Sequence, residues 1–222
     1  MLLRTDRISL RYGDGDTLTY AVRSISIEVP ATGFFGIMGP SGSGKSSLLY
    51  LMSGLKQPTE GSVYYDNRCI STMTNRDLAM LRRNEFGFVF QQPFLLNYLT
   101  ARENMLTAVN QQSGANTAAD EIMSKLSILQ LAERAPAHLS GGEKQRIAVA
   151  RAMINRPRVI FADEPTAALD RTNGLAVMEL LKSYRDEGLI IVVTHDEAML
   201  AGADNIYHME DGQLHHIARP AA

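Results

Sequence analysis

A glycine-rich segment early in the chain has the residue types and spacing of a phosphate-binding loop. Gly39, Gly44, Lys45 and Ser46 occupy the fixed positions of the pattern G-x-x-x-x-G-K-[ST]. The apolar run before this segment predicts a buried strand, and the run after it predicts a helix from Lys45 to Met52. Glycines let successive backbone N–H groups turn toward one anion, and a helix N-terminus adds its dipole. The segment therefore predicts binding of nucleotide phosphates.

Two side chains of this loop are suited to neutralise phosphate charge and to bind a metal ion. The Lys45 ammonium would reach the β- and γ-phosphates, which makes it both a binding and a catalytic candidate, and the Ser46 hydroxyl would hold Mg²⁺. The alternative is a flexible glycine-serine turn, which the flanking strand and helix disfavour. The residues that we expect to contact the phosphates are Gly39, Pro40, Ser41, Gly42, Ser43, Gly44, Lys45, Ser46 and Ser47.

A pair of carboxylates follows the predicted buried strand Val159–Ala162. Because ligands of parallel sheets bind at the carboxyl ends of the strands, Asp163 and Glu164 should lie near the phosphate loop. Asp163 is suited to hold Mg²⁺ through water, and Glu164 to act as general base on an attacking water. An isolated Asp-Glu pair is more often a solvated turn, but together with the phosphate loop the pair indicates nucleotide hydrolysis.

The segment Leu139–Glu143 is a second glycine-rich helix start. Ser140 and Gly141 lead into a helix that we predict to begin at Gly142 and to end at Asn155. The N-terminus of this helix would also bind an anion. A monomer with one phosphate loop has little use for a second cradle. We therefore expect it to act on the nucleotide of another subunit, and we expect Ser140, Gly141, Gly142 and Glu143 to contact that nucleotide. The alternative is that Ser140 only caps the helix.

These motifs together resemble those of ABC-type ATPases over essentially the whole chain. The phosphate loop resembles Walker A, Val159–Glu164 resembles Walker B, and Leu139–Glu143 resembles the ABC signature. By the same resemblance, Ala168-Leu169-Asp170 is similar to the D-loop, with alanine where serine is common. Asp170 is thereby implied to take part in nucleotide binding across a dimer.

Three further residues take roles from the resemblance alone. His195 resembles the switch histidine that contacts the γ-phosphate, Gln91 the Q-loop glutamine that touches Mg²⁺ and the attacking water, and Tyr12 the aromatic that stacks on adenine. Each has an alternative. A histidine at a strand end is often only hydrogen-bonded, Gln92 is adjacent to Gln91, and a tyrosine in an N-terminal strand is often part of the core.

The order of predicted elements agrees with a mostly parallel α/β sheet. Short apolar runs such as Phe34–Met38 and Leu189–Val193 alternate with helical stretches, and Ile25, Ile27 and Val29 show the period-2 pattern of a strand. Between about residues 93 and 140, helical spacing replaces the strands, as at Ile122, Leu126 and Leu129. The resemblance implies a P-loop NTPase of the ABC type, with a parallel core, an N-terminal antiparallel β part and a helical subdomain over 93–140. We expect one domain over 1–222.

Composition restricts the partners and the compartment. The chain has 222 residues, a formal net charge of −2 and a single cysteine, Cys69, so we expect no nucleic-acid footprint and no disulfide. No run approaches the roughly 20 apolar residues of a membrane span, and charge follows the N-terminus too closely for a secretory signal. The chain is therefore predicted to stay in the cytosol.

The resemblance implies a homodimer that closes around two ATP molecules with Mg²⁺ and drives a separate transmembrane permease at the cytoplasmic face of the membrane. The apolar segment Pro93–Leu99 would receive a short helix of that permease, with local core as the alternative. The cargo would not contact this subunit. Chromosome and repair ATPases carry long inserts before the signature, and only 140 − 45 = 95 positions separate Lys45 from Ser140.

Within the family, the motifs look like those of the group serving lipoprotein release, macrolide efflux and haem efflux. Thr166-Ala167-Ala168 departs from the Thr-Gly-Asn of the first two and is nearer the haem-efflux members. An exporter of a hydrophobic or amphiphilic compound, with haem as the leading candidate, is the function that this analogy implies. A cell-division type of ABC ATPase, which signals through a membrane protein without moving cargo, is the alternative.

Overall fold

The computed structural model describes residues 1–13, 18–109 and 114–217. The strands are β1 Leu3–Tyr12, β2 Thr19–Ile25, β3 Glu28–Val29, β4 Gly33–Met38, β5 Glu60–Tyr65, β6 Arg68–Cys69, β7 Phe86–Val89, β8 Val159–Asp163, β9 Leu189–Thr194, β10 Asn205–Glu210 and β11 Gln213–Ile217. The α-helices are α1 Lys45–Met52, α2 Asn75–Glu85, α3 Ala101–Leu106, α4 Ala115–Lys125, α5 Gly141–Met153 and α6 Arg171–Lys182.

A six-stranded sheet forms the centre, in the order β11-β10-β4-β9-β8-β7. All neighbouring strands in it are parallel except the β10–β11 hairpin. Every residue of β8 and β9 is buried, which explains why these strands are continuous apolar runs rather than alternating ones. The carboxyl ends of β4, β7, β8 and β9 meet at one edge, and this edge carries the site. The predicted α/β fold with a mostly parallel core is confirmed.

A second, antiparallel sheet has the order β2-β1-β5-β6, with β3 also paired to β1. The prediction of one strand through Ile25, Ile27 and Val29 is wrong, because β2 ends at Ile25 and β3 begins at Glu28. The Thr5 hydroxyl sits in this break: it donates to the Ile25 carbonyl at 3.1 Å and accepts from the Ile27 N–H at 3.0 Å. The Thr5 N–H also donates to the Ile27 carbonyl at 2.9 Å, so a side chain and a backbone group together bridge the break, which periodicity alone does not reveal.

Helices α3, α4 and the middle of α5 enclose a hydrophobic cluster of their own, which includes Met105, Met123 and Ile147. The buried Asn104 amide ties the preceding loop to α3, since it donates to the Leu96, Leu99 and Thr100 carbonyls and accepts from the Leu96 N–H.

Two predictions about the helices need correction. The helical spacing does not extend to Leu129, which lies in a 3₁₀ turn after α4 and is 41% exposed. Helix α5 begins one residue earlier than predicted, at Gly141, and ends at Met153 rather than Asn155. Helix α1 begins and ends as predicted. The division into one domain with a subdomain over 93–140 stays a prediction. Within the described ranges, no helix has both the length and the apolar character that crossing a bilayer requires.

Candidate nucleotide site

The glycine-rich loop runs from the end of β4 to the start of α1, and two of its glycines are packed against backbone. A Cβ on Gly39 would lie 2.1 Å from the Met209 carbonyl oxygen, and one on Gly44 would lie 1.9 Å from that of Ala21. Both residues also have positive φ angles, 150° and 102°. Gly42 differs, because nothing lies within 4 Å of its Cβ position. The loop therefore rests on β2 and β10 on one side and is open on the other.

Polar groups inside the loop are arranged around its concave side. Lys45 is buried, and its Nζ donates to the carbonyls of Gly39 and Pro40, both at 2.9 Å. The buried Ser43 hydroxyl has no hydrogen-bond partner among the described residues. The loop thus presents one ammonium group and the N-terminus of α1, whose N-cap Gly44 provides no side-chain acceptor. Such an arrangement favours an anion.

The next side chains of α1 contact the end of β8. Ser46 Oγ donates to Oδ1 of Asp163 at 2.7 Å, and the Tyr50 hydroxyl donates to Oδ2 at 2.6 Å. Burial, followed by the hydrogen bond to Asp163, raises the pKa of Tyr50 well above its ordinary value, so the phenol stays a proton donor at neutral pH. Asp163 is buried, with 7% of its surface exposed.

Glu164 turns away from the strand that precedes it. Its φ is 45°, a left-handed conformation that is uncommon for a residue other than glycine, and its N–H donates to the Val193 carbonyl at 2.9 Å. The carboxylate meets His195 Nδ1 at 3.0 and 3.1 Å. Unfavourable backbone conformations of this kind concentrate at functional sites, where the surrounding structure holds them. The β8–β9 edge thereby aims one carboxylate and one imidazole at the same space.

Beside the loop lies a cleft of about 640 Å³, a volume in the range of small-molecule sites. The cleft brings together most of the predicted loop residues with Gln91, Glu164 and His195. Gln91 rather than Gln92 faces it, although Phe90 separates Gln91 from the end of β7. Ala21, on β2, also lines the cleft and was not predicted; its backbone packing against Gly44 is a contact between elements that carry no motif in common.

The signature segment lies outside this cleft and is closed by its own side chains. Ser140 Oγ accepts from the Glu143 N–H at 3.3 Å, and Glu143 Oε2 accepts from the Ser140 N–H at 2.7 Å. This reciprocal capping box lowers the pKa of Glu143, chiefly through the Ser140 N–H. A Cβ on Gly142 would lie 2.8 Å from the Asn173 side chain, whereas none of the atoms around a Cβ on Gly141 would be nearer than 3.9 Å. Gly142 therefore has a packing reason within the chain, and contact of Gly141 and Gly142 with a nucleotide stays a prediction.

Comparison with known proteins decides the family. The family model described as ABC transporter matches residues 22–167. The chain belongs to the ABC transporter family. It is 40% identical over 208 residues to the ABC transporter ATP-binding protein MJ1508 of Methanocaldococcus jannaschii, covering 91% of this chain and 93% of that one. It is 38% identical to the macrolide export ATP-binding/permease protein MacB of Salmonella choleraesuis, over 97% of this chain but only 34% of MacB.

A solved structure extends the similarity to three dimensions. The ATP-binding cassette MJ0796, in a dimeric post-hydrolysis state bound to ADP and Pi, superposes with a TM-score of 0.87 at 35% identity, covering 97% of this chain and 98% of that one. A second relative is cbiO1 from Clostridium perfringens, part of the transporter complex cbiONQ, with a TM-score of 0.85 at 28% identity, covering 96% and 86%. The chain is an ATPase of the ABC family.

The oxygen groups of this ABC ATPase fit Mg²⁺. Ser46 and Asp163 offer a hydroxyl and a carboxylate beside the cleft, and Gln91 offers an amide oxygen across it. Mg²⁺ binds oxygen ligands and takes few from the protein, because nucleotide phosphates and waters complete its shell. The described part of the chain contains no cluster of three or more His, Cys, Asp or Glu side chains suited to a metal.

Two residues that the ABC resemblance assigned to nucleotide binding do not line the cleft. Tyr12 is 46% exposed at the end of β1; its hydroxyl accepts from Lys56 Nζ at 2.6 Å, and that ammonium also lies 5.2 Å from the ring centroid. Asp170 is the N-cap of α6 and accepts from the Asn173 N–H, which lowers the pKa of Asp170. Each therefore has a local role within the chain, and the nucleotide roles stay predictions.

Proposed function

We propose that the chain is the ATP-binding and ATP-hydrolysing subunit of an ABC exporter, in which two copies close around two ATP molecules and drive a separate transmembrane permease. The observation that carries this is the pairing of Glu164 with His195 opposite the phosphate loop, in one cleft with Gln91. When the loop holds the nucleotide phosphates, the γ-phosphoryl group lies next to Glu164, whose carboxylate is suited to polarise the attacking water.

The remaining roles follow from the same placement. Lys45 and the α1 N-terminus bind the β- and γ-phosphates, His195 contacts the γ-phosphate, and Gln91 orients the attacking water. Mg²⁺, held by Ser46, Gln91 and, through water, Asp163, would neutralise charge that develops on the phosphates.

Closure of two chains is supported by the exposed signature segment. Ser140 and Gly141 are exposed at the N-terminus of α5, and neither residue lines the chain's own cleft. In the proposed dimer the signature residues of one chain contact the ATP of the other. Asp170 then lies at the dimer contact, and Tyr12 stacks on adenine once Lys56 has moved aside. The dimeric MJ0796 relatives support this arrangement.

A permease site is supported by an exposed surface next to the loop that follows β7 and contains Gln91, which we call the glutamine loop. Phe94, Leu96 and Tyr98 expose 63%, 40% and 81% of their surface, whereas Leu95 packs against the helical cluster. Leu95 therefore belongs to the local core, and the three exposed side chains are available to a helix of the permease. Beside it lies a groove of about 600 Å³, the arginine groove, whose lining includes Arg82, Arg83, Arg151, Phe88 and Phe90. Aromatic rings with arginines suit a short helix that carries apolar and acidic side chains.

One helix connects this surface with the signature. Arg151, near the end of α5, donates to the Pro93 and Phe94 carbonyls at 2.7 and 2.9 Å, and Gln145 of the same helix donates to the Phe90 carbonyl at 2.9 Å. Because α5 begins at Gly141, a displacement of the glutamine loop by the permease moves the signature as well. The subunit would work at the cytoplasmic face of the membrane, held there by the permease.

We propose that the cargo of the exporter is a hydrophobic or amphiphilic compound. A hydrophobic or amphiphilic compound agrees with the macrolide export named for MacB. Among the relatives named above none is named for haem, so haem rests on the Thr166–Ala168 resemblance alone.

The substitution Glu164→Gln tests the proposed function, because it keeps the size of the side chain and removes the base. We expect phosphate release to fall about 10²-fold to 10⁴-fold, while ATP binding persists and an ATP-bound dimer accumulates in sedimentation. Glu179→Gln, which changes a 71% exposed carboxylate on α6, is the control and should keep full turnover. Normal turnover in Glu164→Gln would exclude the general-base role.

A further inference from the structure

The Asp163 carboxylate is held on both oxygens by one helix. Ser46 Oγ reaches Oδ1 at 2.7 Å and the Tyr50 hydroxyl reaches Oδ2 at 2.6 Å. The two donors are four residues apart, so they lie on the same face of α1. Asp163 is buried, and these are its two side-chain donors within the described ranges. A carboxylate rotates easily about its last torsion, and two donors on one rigid helix fix its plane.

Tyr50 lies between the hydrophobic core and the Asp163 carboxylate. Its ring packs against the main hydrophobic cluster, and Tyr50 does not line the nucleotide cleft. The hydroxyl therefore contacts neither the nucleotide nor the space in front of Ser46. Its effect on the site must pass through Asp163, which in turn contacts Ser46 at the cleft wall.

We propose that Tyr50 is a positioning residue that sets the plane of the Asp163 carboxylate, and thereby the preference of the Ser46–Asp163 pair for Mg²⁺. This inference rests on the proposed function. Mg²⁺ demands near-ideal octahedral geometry at short distances, whereas Ca²⁺ accepts longer and more variable ones. A carboxylate fixed on Oδ2 by Tyr50 keeps Oδ1 directed toward Ser46, where it would accept a hydrogen bond from a water of the Mg²⁺ shell. Loss of the phenol frees the carboxylate to turn, which penalises the more demanding ion.

The test is the metal dependence of nucleotide binding in the full chain carrying Tyr50→Phe. Calorimetric titration with AMP-PNP, a non-hydrolysable ATP analogue, gives the affinity in EDTA, in Mg²⁺ and in Ca²⁺. We expect the affinity in EDTA to stay near that of the unmodified chain, because the phosphate loop is unchanged. The affinity gain from Mg²⁺ should fall about tenfold, as is typical when a residue that orients a metal ligand is removed, and the gain from Ca²⁺ should fall less than about twofold.

Tyr184→Phe is the matched control, because the Tyr184 hydroxyl donates to the Pro157 carbonyl at 2.8 Å, away from the cleft. It removes one buried phenolic hydrogen bond and should leave both metal gains unchanged. The ratio of the Mg²⁺ and Ca²⁺ gains does not depend on the fraction of folded chain, so a destabilised Tyr50→Phe still gives an answer.

The outcomes separate this inference from the proposed function. An unchanged ratio in Tyr50→Phe, with nucleotide binding intact, would overturn the role of Tyr50 and leave the ATPase assignment standing. Equal losses in EDTA and in Mg²⁺ would also overturn it, since they would mean that Tyr50 supports the loop rather than the metal ligands. Failure of the unmodified chain to bind AMP-PNP in any condition would overturn both.

Discussion

Helices α1 and α5 both begin at a glycine-rich segment, but the N–H groups of their first turns find different hydrogen-bond acceptors. The N-cap of α1 is Gly44, which offers no side-chain acceptor, and the first turn of α1 contains no acidic residue. The N-cap of α5 is Ser140, and Glu143 in its first turn completes a capping box. Helix α5 thus caps itself, whereas α1 leaves its first N–H groups to a ligand.

This difference implies that the N-terminus of α1 binds an anion more strongly than the N-terminus of α5. At α1 the helix dipole and Lys45 act together on whatever enters the cleft. At α5 an anion must approach the Glu143 carboxylate, whose Oε2 already accepts from both the N–H and the hydroxyl of Ser140. The α5 terminus is therefore a weak site on its own, and in the proposed dimer it would meet a phosphate that the partner chain holds. The contrast agrees with ATP bound first at α1 and then contacted by the partner's signature.

The largest expected effect comes from adding one methyl group at α1. Gly44→Ala would place a Cβ 1.9 Å from the Ala21 carbonyl oxygen at a φ of 102°, so the loop must move. Overpacking and backbone strain together should lower the free energy of unfolding by about 3 kcal/mol and abolish AMP-PNP binding. Urea denaturation and calorimetric titration measure the two effects.

The corresponding change at α5 is the control. No atom lies closer than 3.9 Å to the Cβ position of Gly141. Gly141→Ala should change the free energy of unfolding by no more than about 1 kcal/mol, since alanine is the better helix former. If both substitutions cost the same stability, the two termini do not differ as described.

The second prediction concerns which chain's ATP the α5 terminus serves. Ser140→Arg and Lys45→Ala are either split between the two subunits of a mixed dimer or placed together on one subunit with an unmodified partner. In the sandwich arrangement the split dimer keeps one intact site and the other dimer keeps none. Phosphate release should differ by about 100-fold in favour of the split dimer, the usual size of losing a transition-state donor. The reverse order would mean that Ser140 serves the cleft of its own chain.

Much of this site was predictable because it follows from order along the chain. Residues that end parallel strands converge at one edge, so the neighbourhood of Ser46, Asp163, Glu164 and His195 could be expected from strand and helix patterns alone. Capping of α5 by Ser140 is also among the alternatives that the sequence offers, but the reciprocal hydrogen bond of Glu143 is not.

Contacts between distant elements were not predictable. Gly142 is needed because Asn173 of α6 lies against it, and Tyr50 matters because its ring reaches the end of β8. The sequence patterns assign no role to Tyr50, and only the distance from its hydroxyl to Asp163 reveals one. The same holds for Thr5, whose hydroxyl fills the break between β2 and β3. Such effects depend on side-chain length and backbone approach, which a single sequence does not encode locally.

The smallest expected effect comes from Glu143→Gln, which keeps the capping geometry and removes the charge. Two consequences of opposite sign follow. Helix α5 loses a favourable charge at its N-terminus, so the free energy of unfolding should fall by less than about 1 kcal/mol, a value limited by solvent screening. The ATP-bound dimer loses a repulsion between Glu143 and the partner's γ-phosphate, so half-maximal dimerisation should need about fivefold less AMP-PNP.

Glu103→Gln is the matched control, because Thr100 and Glu103 form the same capping box at α3, away from the signature. It should cost similar stability and leave dimerisation unchanged.

Acid provides a second check. The native pKa of Glu143 lies below the ordinary value of 4.5, so its contribution to stability is present at neutral pH and is lost as the pH falls through the lowered native pKa. Glutamine has no such proton to gain, and the stability difference between Glu143→Gln and the unmodified chain should therefore vanish in acid. A difference that persists there would mean that the hydrogen bonds of the cap, rather than its charge, separate the two chains.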